Sequence, residues 1–255
     1  MSNIPIVIPS YEPDGNLIKL LEDLKDAGLG PVILVDDGSG ERYGYLFEQA
    51  RDEYQCHILK HAVNMGKGRA LKSAFNYLLN EYQEEEILGC LTADSDGQHG
   101  VKDIKKCMEA LEKSPQKLIL GCRDFDLPSV PSKSKFGNKL THYVCKWLCG
   151  IDVSDTQTGL RAIPGDFMRF LLNTPGERFE FETNMLLDSK GKVDIEEVKI
   201  ETIYDSKENH ATHFNPIMDS IKIYKIFGKC FLKFIVSSLS SSAVDLILFS
   251  ILCGM

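Results

Sequence analysis

The sequence predicts an α/β fold: a Rossmann-like, mostly parallel central sheet with flanking helices, then a C-terminal amphipathic helix and an apolar segment. Three features predict it. From Ile4 to Asp96, short apolar runs alternate with stretches of helical period, the β-α-β-α order of a parallel sheet. Several of those runs stop abruptly in acids and turn residues, as buried strands do where they deliver side chains to one sheet edge. The end of the chain, from Phe234, reads FIVSSLSSSAVDLILFSILCGM and carries Asp245 as its single charge.

Taken in order, Ile4–Pro9 is an apolar strand that runs into the loop Ser10-Tyr11-Glu12-Pro13. Asn16–Ala27 places Leu17, Leu20, Leu21 and Leu24 on one helical face, and Gly28 and Gly30 close it. Val32–Val35 is a buried strand ending in Asp36-Asp37-Gly38-Ser39-Gly40. His57–Lys60 is a third strand, followed by Asn64-Met65-Gly66-Lys67-Gly68 and a helix from about Arg69 to Tyr82. Ile87–Ala93 is a strand that stops in Asp94-Ser95-Asp96, with Gly-Gln-His behind it. Val101–Glu112 reads as a helix, Lys117–Leu120 as a strand ending in Gly121-Cys122-Arg123, and Asp126–Lys135 as a mobile loop. A helix over Phe136–Cys149, the turn Asp155-Thr156-Gln157-Thr158-Gly159, a strand Leu160–Ile163, a helix Glu182–Ser189 and an edge strand Val193–Ile203 complete the predicted core. Asp205–Asn215, with His210 and His213, is a polar connector.

Composition narrows the function. A net charge of −8 argues against nucleic acid as a partner. The eight cysteines show no C-x-x-C pair, and with no secretory signal they are expected to be reduced and cytosolic. Cys145 and Cys149 flank Trp147, a spacing that suits packing on a helix, with Trp147 itself in the core or facing a membrane. Lys222, Lys225, Lys229 and Lys233 share a helix face just before the apolar tail. A basic amphipathic helix leading into an apolar segment predicts a membrane-surface element followed by a span, and the lysines put the remainder on the cytoplasmic side.

Asp94 and Asp96, one residue apart, are costly to bury for structure alone and suit a hard divalent cation that bridges substrate phosphates. Glu12, Asp36 and Asp37 end other strands, so acids from three strands are expected to converge on one edge, where open α/β sheets bind ligands. A nucleotide suits that set. Carboxylates accept from base and ribose donors, and Lys67 lies between glycines where backbone can approach a ligand. The loop is not G-x-x-x-x-G-K-[ST], and no G-x-G-x-x-G follows the first strand, which disfavours an ATPase P-loop and a dehydrogenase.

The ordered motifs IPSYEP, VDDGSG, NMGKG, ADSDGQH, GCRDF, DTQTGLRA and FEFETNML resemble those of inverting GT-A-fold glycosyltransferases of family two. The likeness is to the polyprenyl-phosphate sugar transferase branch, which includes dolichyl-phosphate mannose synthase. The tail is similar to the first span of a GtrA-type membrane domain, which usually has four.

The resemblance implies a nucleotide pocket lined by Pro9, Tyr11 and Glu12, with Asp37 and Asp36 on the base or ribose and Lys67 facing the nucleotide. Asp94, Ser95 and Asp96 flank the donor diphosphate, and Mg²⁺ or Mn²⁺ sits on Asp94, Asp96 and Gln98. Arg123 meets the acceptor phosphate, assisted by Lys133 and Lys135. Asp155 acts as base or orients the acceptor, with Glu180 and Glu182 as rivals. The implied partners are a nucleotide sugar, a polyprenyl phosphate, membrane lipids and a second copy in a homo-oligomer. A transferase acting on a soluble or polymeric glycan, or a non-catalytic membrane scaffold, are the competing readings. The expected division is a catalytic domain over residues 1–205, a connector and basic helix over 206–233, and a membrane segment over 234–255.

Overall fold

The computed structural model describes residues 4–82, 87–123, 138–139, 141–201 and 218–254. Lys133, Lys135, the loop Asp126–Lys135 and the connector Asp205–Asn215 lie outside them. Strands β1 (Ile6–Ser10), β2 (Val32–Asp36), β3 (His57–Lys60), β4 (Gly89–Thr92), β5 (Leu118–Arg123), β6 (Arg161–Pro164) and β7 (Ile195–Ile200) form one sheet in the order β3-β2-β1-β4-β6-β5-β7. All pairings are parallel except those of β6, which runs antiparallel to both β4 and β5. The predicted mostly parallel sheet is present, and β7 is an edge strand.

Alternation along the strands sends side chains to two packed layers. Ile6, Ile8, Val32 and Leu34 meet the leucines of α1 (Gly15–Asp26), with α2 (Gly44–Tyr54) and α4 (Val101–Lys113) in the same layer. Val7, Ile33 and Val35 face α3 (Lys67–Glu81), α5 (Gly165–Leu171) and α6 (Glu180–Ser189). Helix α1 begins where the Asp14 side chain accepts the Asn16 N–H at 2.9 Å, an N-cap that satisfies one of the orphan donors there. Helix α5 was not expected from sequence, because its seven residues span too few turns for a period to show.

The predicted helix ending at Cys149 closes in a π turn, Cys145–Cys149, with both cysteines buried. Helix α7 (Met218–Cys253) packs on this turn, burying Phe227 in the same cluster as Cys145 and Cys149. Beyond Phe227 the helix leaves the core. Ile235–Cys253 has a mean hydropathy of 1.9, none of it is buried, and by length and composition it is a candidate membrane span.

Candidate active site

The parallel strands end at one edge of the sheet, and the acids singled out from sequence gather there. Pairing of β1 with β2 sets Ser10 opposite Asp36, so the loops carrying Tyr11 and Glu12 and those carrying Asp36 and Asp37 are neighbours. Pro9 and Ser10 are buried, Tyr11 is half-buried, and the Glu12 N–H donates to Ser39 Oγ at 2.9 Å. Glu12 holds a left-handed φ of 47°, a strained backbone of the kind that collects at functional sites.

Both aspartates at the end of β2 have structural bonds. Asp36 Oδ1 accepts the Ser39 N–H at 2.8 Å. Asp37 accepts the N–H groups of Met65 at 2.9 Å and Gly66 at 2.7 Å, and lies 2.7 Å from His61 Nδ1. His61 in turn contacts Ser73 Oγ on α3 at 2.9 Å. Asp37 therefore pins the loop that leads into Lys67. Sequence reasoning missed His61 because it weighed only acids at strand ends; its place directly after β3 was the available signal.

Lys67 opens α3 and reaches across the edge. Its Nζ lies 2.6 Å from Asp94 Oδ1 and 3.0 Å from Glu182 Oε1. Burial alone would lower the lysine pKa, but those two charges outweigh it and hold the ammonium well above its ordinary range. Burial would likewise raise Asp94, yet the Lys67 charge, helped by His99, holds it well below the usual carboxylate range. Asp96 moves the other way, raised first by burial and then by the Asp94 charge. Its Oδ1 accepts the backbone N–H of Gln98 at 3.0 Å, and Ser95 lies half-buried between the two acids. His99 is buried with Nε2 3.7 Å from Asp94 Oδ2 and no partner at Nδ1, so it faces the acid loop and does not cap α4.

Among the described residues no group of three His, Cys, Asp or Glu side chains gathers for a metal. The Asp94–Asp96 pair nevertheless fits a Mg²⁺ or Mn²⁺ that draws its other ligands from water and phosphate. One observation bears on the fit. Asp96 is raised by burial and by the Asp94 charge even with Lys67 and His99 close to Asp94, a field that a bound cation would relieve, while Asp94 itself is packed against Gly159, where a Cβ would come within 2.2 Å of Oδ2.

Arg123 closes β5 on the far side of the cavity. Its Nε and Nη2 donate to the two oxygens of Asp155 at 2.7 and 3.1 Å, a bidentate pair. Asp155 is fully buried and also takes the Gln157 N–H at 3.1 Å, so its carboxylate is committed to holding Arg123 and its own turn. The turn is knitted to the sheet by Thr92 Oγ1 to Gly159 O at 2.8 Å and Thr158 Oγ1 to Gly121 O at 2.6 Å. Arg161, buried under it, donates to the carbonyls of Thr158 at 2.9 Å and Glu182 at 2.8 Å. Both of these bonds are to main-chain oxygens, which hold the turn and the start of α6 together. Glu197 on β7, also missed, accepts the Ser154 N–H and the Cys122 thiol and steadies the turn from its other end.

Lys67, Asp94, Arg123, Gln157, Phe179 and Glu182 line one cavity of about 200 Å³. A larger groove of about 590 Å³ opens at the opposite end of the sheet, beside Leu88, Pro164 and Phe170, and holds none of the residues singled out from sequence. Glu180, the other rival of Asp155, contacts the Glu177 N–H at 3.3 Å and does not line this cavity.

Similarity to other proteins agrees with this geometry. The chain is 26% identical over 219 residues to the UDP-N-acetylglucosamine–dolichyl-phosphate N-acetylglucosaminyltransferase of Methanococcus voltae, covering 79% of this chain and 86% of that one. It is 25% identical over 252 residues to the dolichyl-phosphate beta-glucosyltransferase of Saccharomyces cerevisiae, covering 87% and 72% respectively. The mannosyl-3-phosphoglycerate synthase structure from Rubrobacter xylanophilus superposes with a TM-score of 0.61 at 12% identity, covering 93% of this chain and 75% of that one, a likeness of fold. The family model described as glycosyl transferase family 2 matches residues 6–171. With its α/β GT-A architecture, this chain belongs to glycosyl transferase family 2.

Proposed function

We propose that this chain transfers one sugar, with inversion, from a UDP- or GDP-sugar to the phosphate of a polyprenyl lipid at the cytoplasmic face of a membrane. The observation that carries the reading is a single cavity faced from two sides by cations, Lys67 between Asp94 and Glu182 and Arg123 on a saturated Asp155. The names of the two relatives, both dolichyl-phosphate transferases, support a lipid-phosphate acceptor.

In this reading Pro9, Tyr11, Glu12 and Asp36 border the nucleotide, and Asp37 acts by shaping the Met65–Gly66 backbone beside it. Asp94 and Asp96, with Gln98 alongside, would hold Mg²⁺ or Mn²⁺, whose chemistry when bound is to neutralise the leaving diphosphate. Arg123 takes the acceptor phosphate, with Lys133 and Lys135 assisting. A phosphate oxygen forms the new bond to the anomeric carbon as the bond to the nucleoside diphosphate breaks, and the electron pair leaves with the diphosphate. The acceptor phosphate is already ionised near neutral pH, so it needs little general base. Asp155, with its oxygens committed to Arg123 and Gln157, orients rather than deprotonates. Positioning and charge neutralisation supply most of the acceleration.

The test is transfer by the purified full chain in detergent, with Mg²⁺ or Mn²⁺, a short-chain polyprenyl phosphate and a panel of labelled UDP- and GDP-sugars. Label in the organic phase, lost with EDTA and in Asp96→Asn, is the expected result. Nucleotide release without labelled lipid would move the acceptor to a soluble glycan, and no turnover by folded protein would overturn the enzymatic reading.

A further inference from the structure

The helical segment that ends at Cys149 has an outward face that water alone does not explain. Thr141, Cys145 and Cys149 point inward and are buried. Tyr143 and Trp147, four residues apart and so on one face, are 57% and 78% exposed. Tryptophan is on average a well-buried side chain, and this is the only one in the chain. Lys146 lies beside it, paired at 2.7 Å with Asp152. Amphipathic aromatics with lysine alongside are the side chains enriched where membrane meets water.

What lies next to this face is decided by α7. The Cys145–Cys149 turn packs on α7, where Phe227 is buried against it. One turn further on, Phe231 and Leu232 are exposed, and the candidate span starts at Ile235. At about 1.5 Å per residue, Phe227 and Ile235 are roughly 12 Å apart along the axis. The polar interface of a bilayer is about 5–8 Å deep on each side of the hydrocarbon. The aromatic face is thus carried beside the stretch of α7 where water gives way to lipid.

We propose that Tyr143 and Trp147 form an interfacial anchor that rests in the headgroup layer of the bilayer entered by α7. The inference depends on the membrane reading of α7 given above. Its consequence for the reaction runs through two hydrogen bonds. Asn138 Nδ2 donates to Ser154 O at 2.7 Å and His142 Nδ1 to Val153 O at 2.6 Å, which ties the anchored segment to the turn bearing Asp155 and hence to Arg123. The anchor fixes which end of the site faces the lipid.

Because Trp147 is the single tryptophan, its fluorescence reports on this face without background. The full chain is reconstituted in vesicles of zwitterionic lipid with an anionic fraction, and binding is checked by flotation. Strong quenching by lipids brominated high on the acyl chain, weak quenching by lipids brominated near its end, and little quenching by aqueous acrylamide are expected. Flotation with Trp147 open to acrylamide overturns the anchor and leaves α7 as the sole attachment. Shielding from both quenchers also overturns it, in favour of a second copy covering the patch. Failure to float overturns the anchor together with the membrane reading on which it rests. A Tyr143→Ser/Trp147→Ser variant is expected to float and to keep its kcat on a detergent-dispersed acceptor, while its KM for vesicle-embedded acceptor rises several-fold. An unchanged KM would count against any role in seating the site.

Discussion

Removing the Lys67 ammonium leaves Asp94 and Glu182 in the cavity with no cation between them. Their side chains are 30% and 9% exposed, so Lys67→Met is expected to destabilise the fold by about 3 kcal/mol in urea unfolding and to abolish transfer. The pH dependence carries a sign. The depressed Asp94 pKa contributes stability that is fully present above the ordinary aspartate value, near 3.9, and is lost as pH falls through the folded value. In wild type Asp94 should therefore contribute no change in Tm from pH 7 to about 5. In Lys67→Met the aspartate's burial goes uncompensated, its pKa moves up, and Tm should rise over the same acidification. Asp96 has the opposite sign in wild type: its raised pKa costs stability as pH climbs through it. Asp96→Asn should raise Tm at neutral pH while lowering transfer on the order of 100-fold, a trade of stability for function. For the Arg123–Asp155 pair, Arg123→Lys and Asp155→Asn should each lower transfer on the order of 100-fold, and the double variant should be little worse than either. If Asp155 were the base, its variant alone would lose the acid limb of the pH–rate profile.

Helix α3 begins against the segment that leads into α6, and the contact is close. A Cβ on Gly68 would sit 2.5 Å from Phe181 Cβ, and one on Gly66, where φ is 99°, would sit 2.5 Å from the Glu177 carbonyl oxygen. Arg69 and Lys72 clamp Glu177 from the same helix at 2.6 and 3.1 Å. Gly68→Ala is expected to cost about 1–3 kcal/mol and to speed amide exchange at residues 66–70 and 176–182. An unchanged exchange pattern would show that the segment moves aside freely. Here the sequence pointed to the right loop for an incomplete reason. The glycines around Lys67 were read as room for a ligand, whereas the protein's own backbone fills that room. Two glycines at fixed spacing announce a close approach; they do not say by what. The strand ends were legible because an apolar run stopped by acids is a local signal. Glu182 as a partner of Lys67 and Gly159 as a neighbour of Asp94 were not, since each pair is joined only through the sheet.

At the scale of the whole chain, α7 is both a piece of the core and a candidate span. A chain ending at Lys233 keeps Phe227 and should melt like the full protein while losing flotation with vesicles. A chain ending at residue 217 strips Phe227 from Cys145 and Cys149 and should be less stable by about 3–5 kcal/mol, measured by urea unfolding of both chains. The apolar tail was visible in the sequence by composition, but its docking through Phe227 was not, because Tyr224, Phe227 and Phe231 all lie in the basic stretch and nothing local marks which of them packs. The reversal of β6 was equally hidden: its four residues read as a strand, and direction is set by partners far away. That reversal has a consequence for recombining relatives. Because β6 lies between β4 and β5, the turn that enters it touches Asp94 through Gly159 and holds Arg123 through Asp155. A chimaera that joins the β1–β4 half of one homologue to the β5–β7 half of another has no neutral crossover between β4 and β6. The stretch 155–164 has two parents to match at once and has to be carried along with both of the strands it touches.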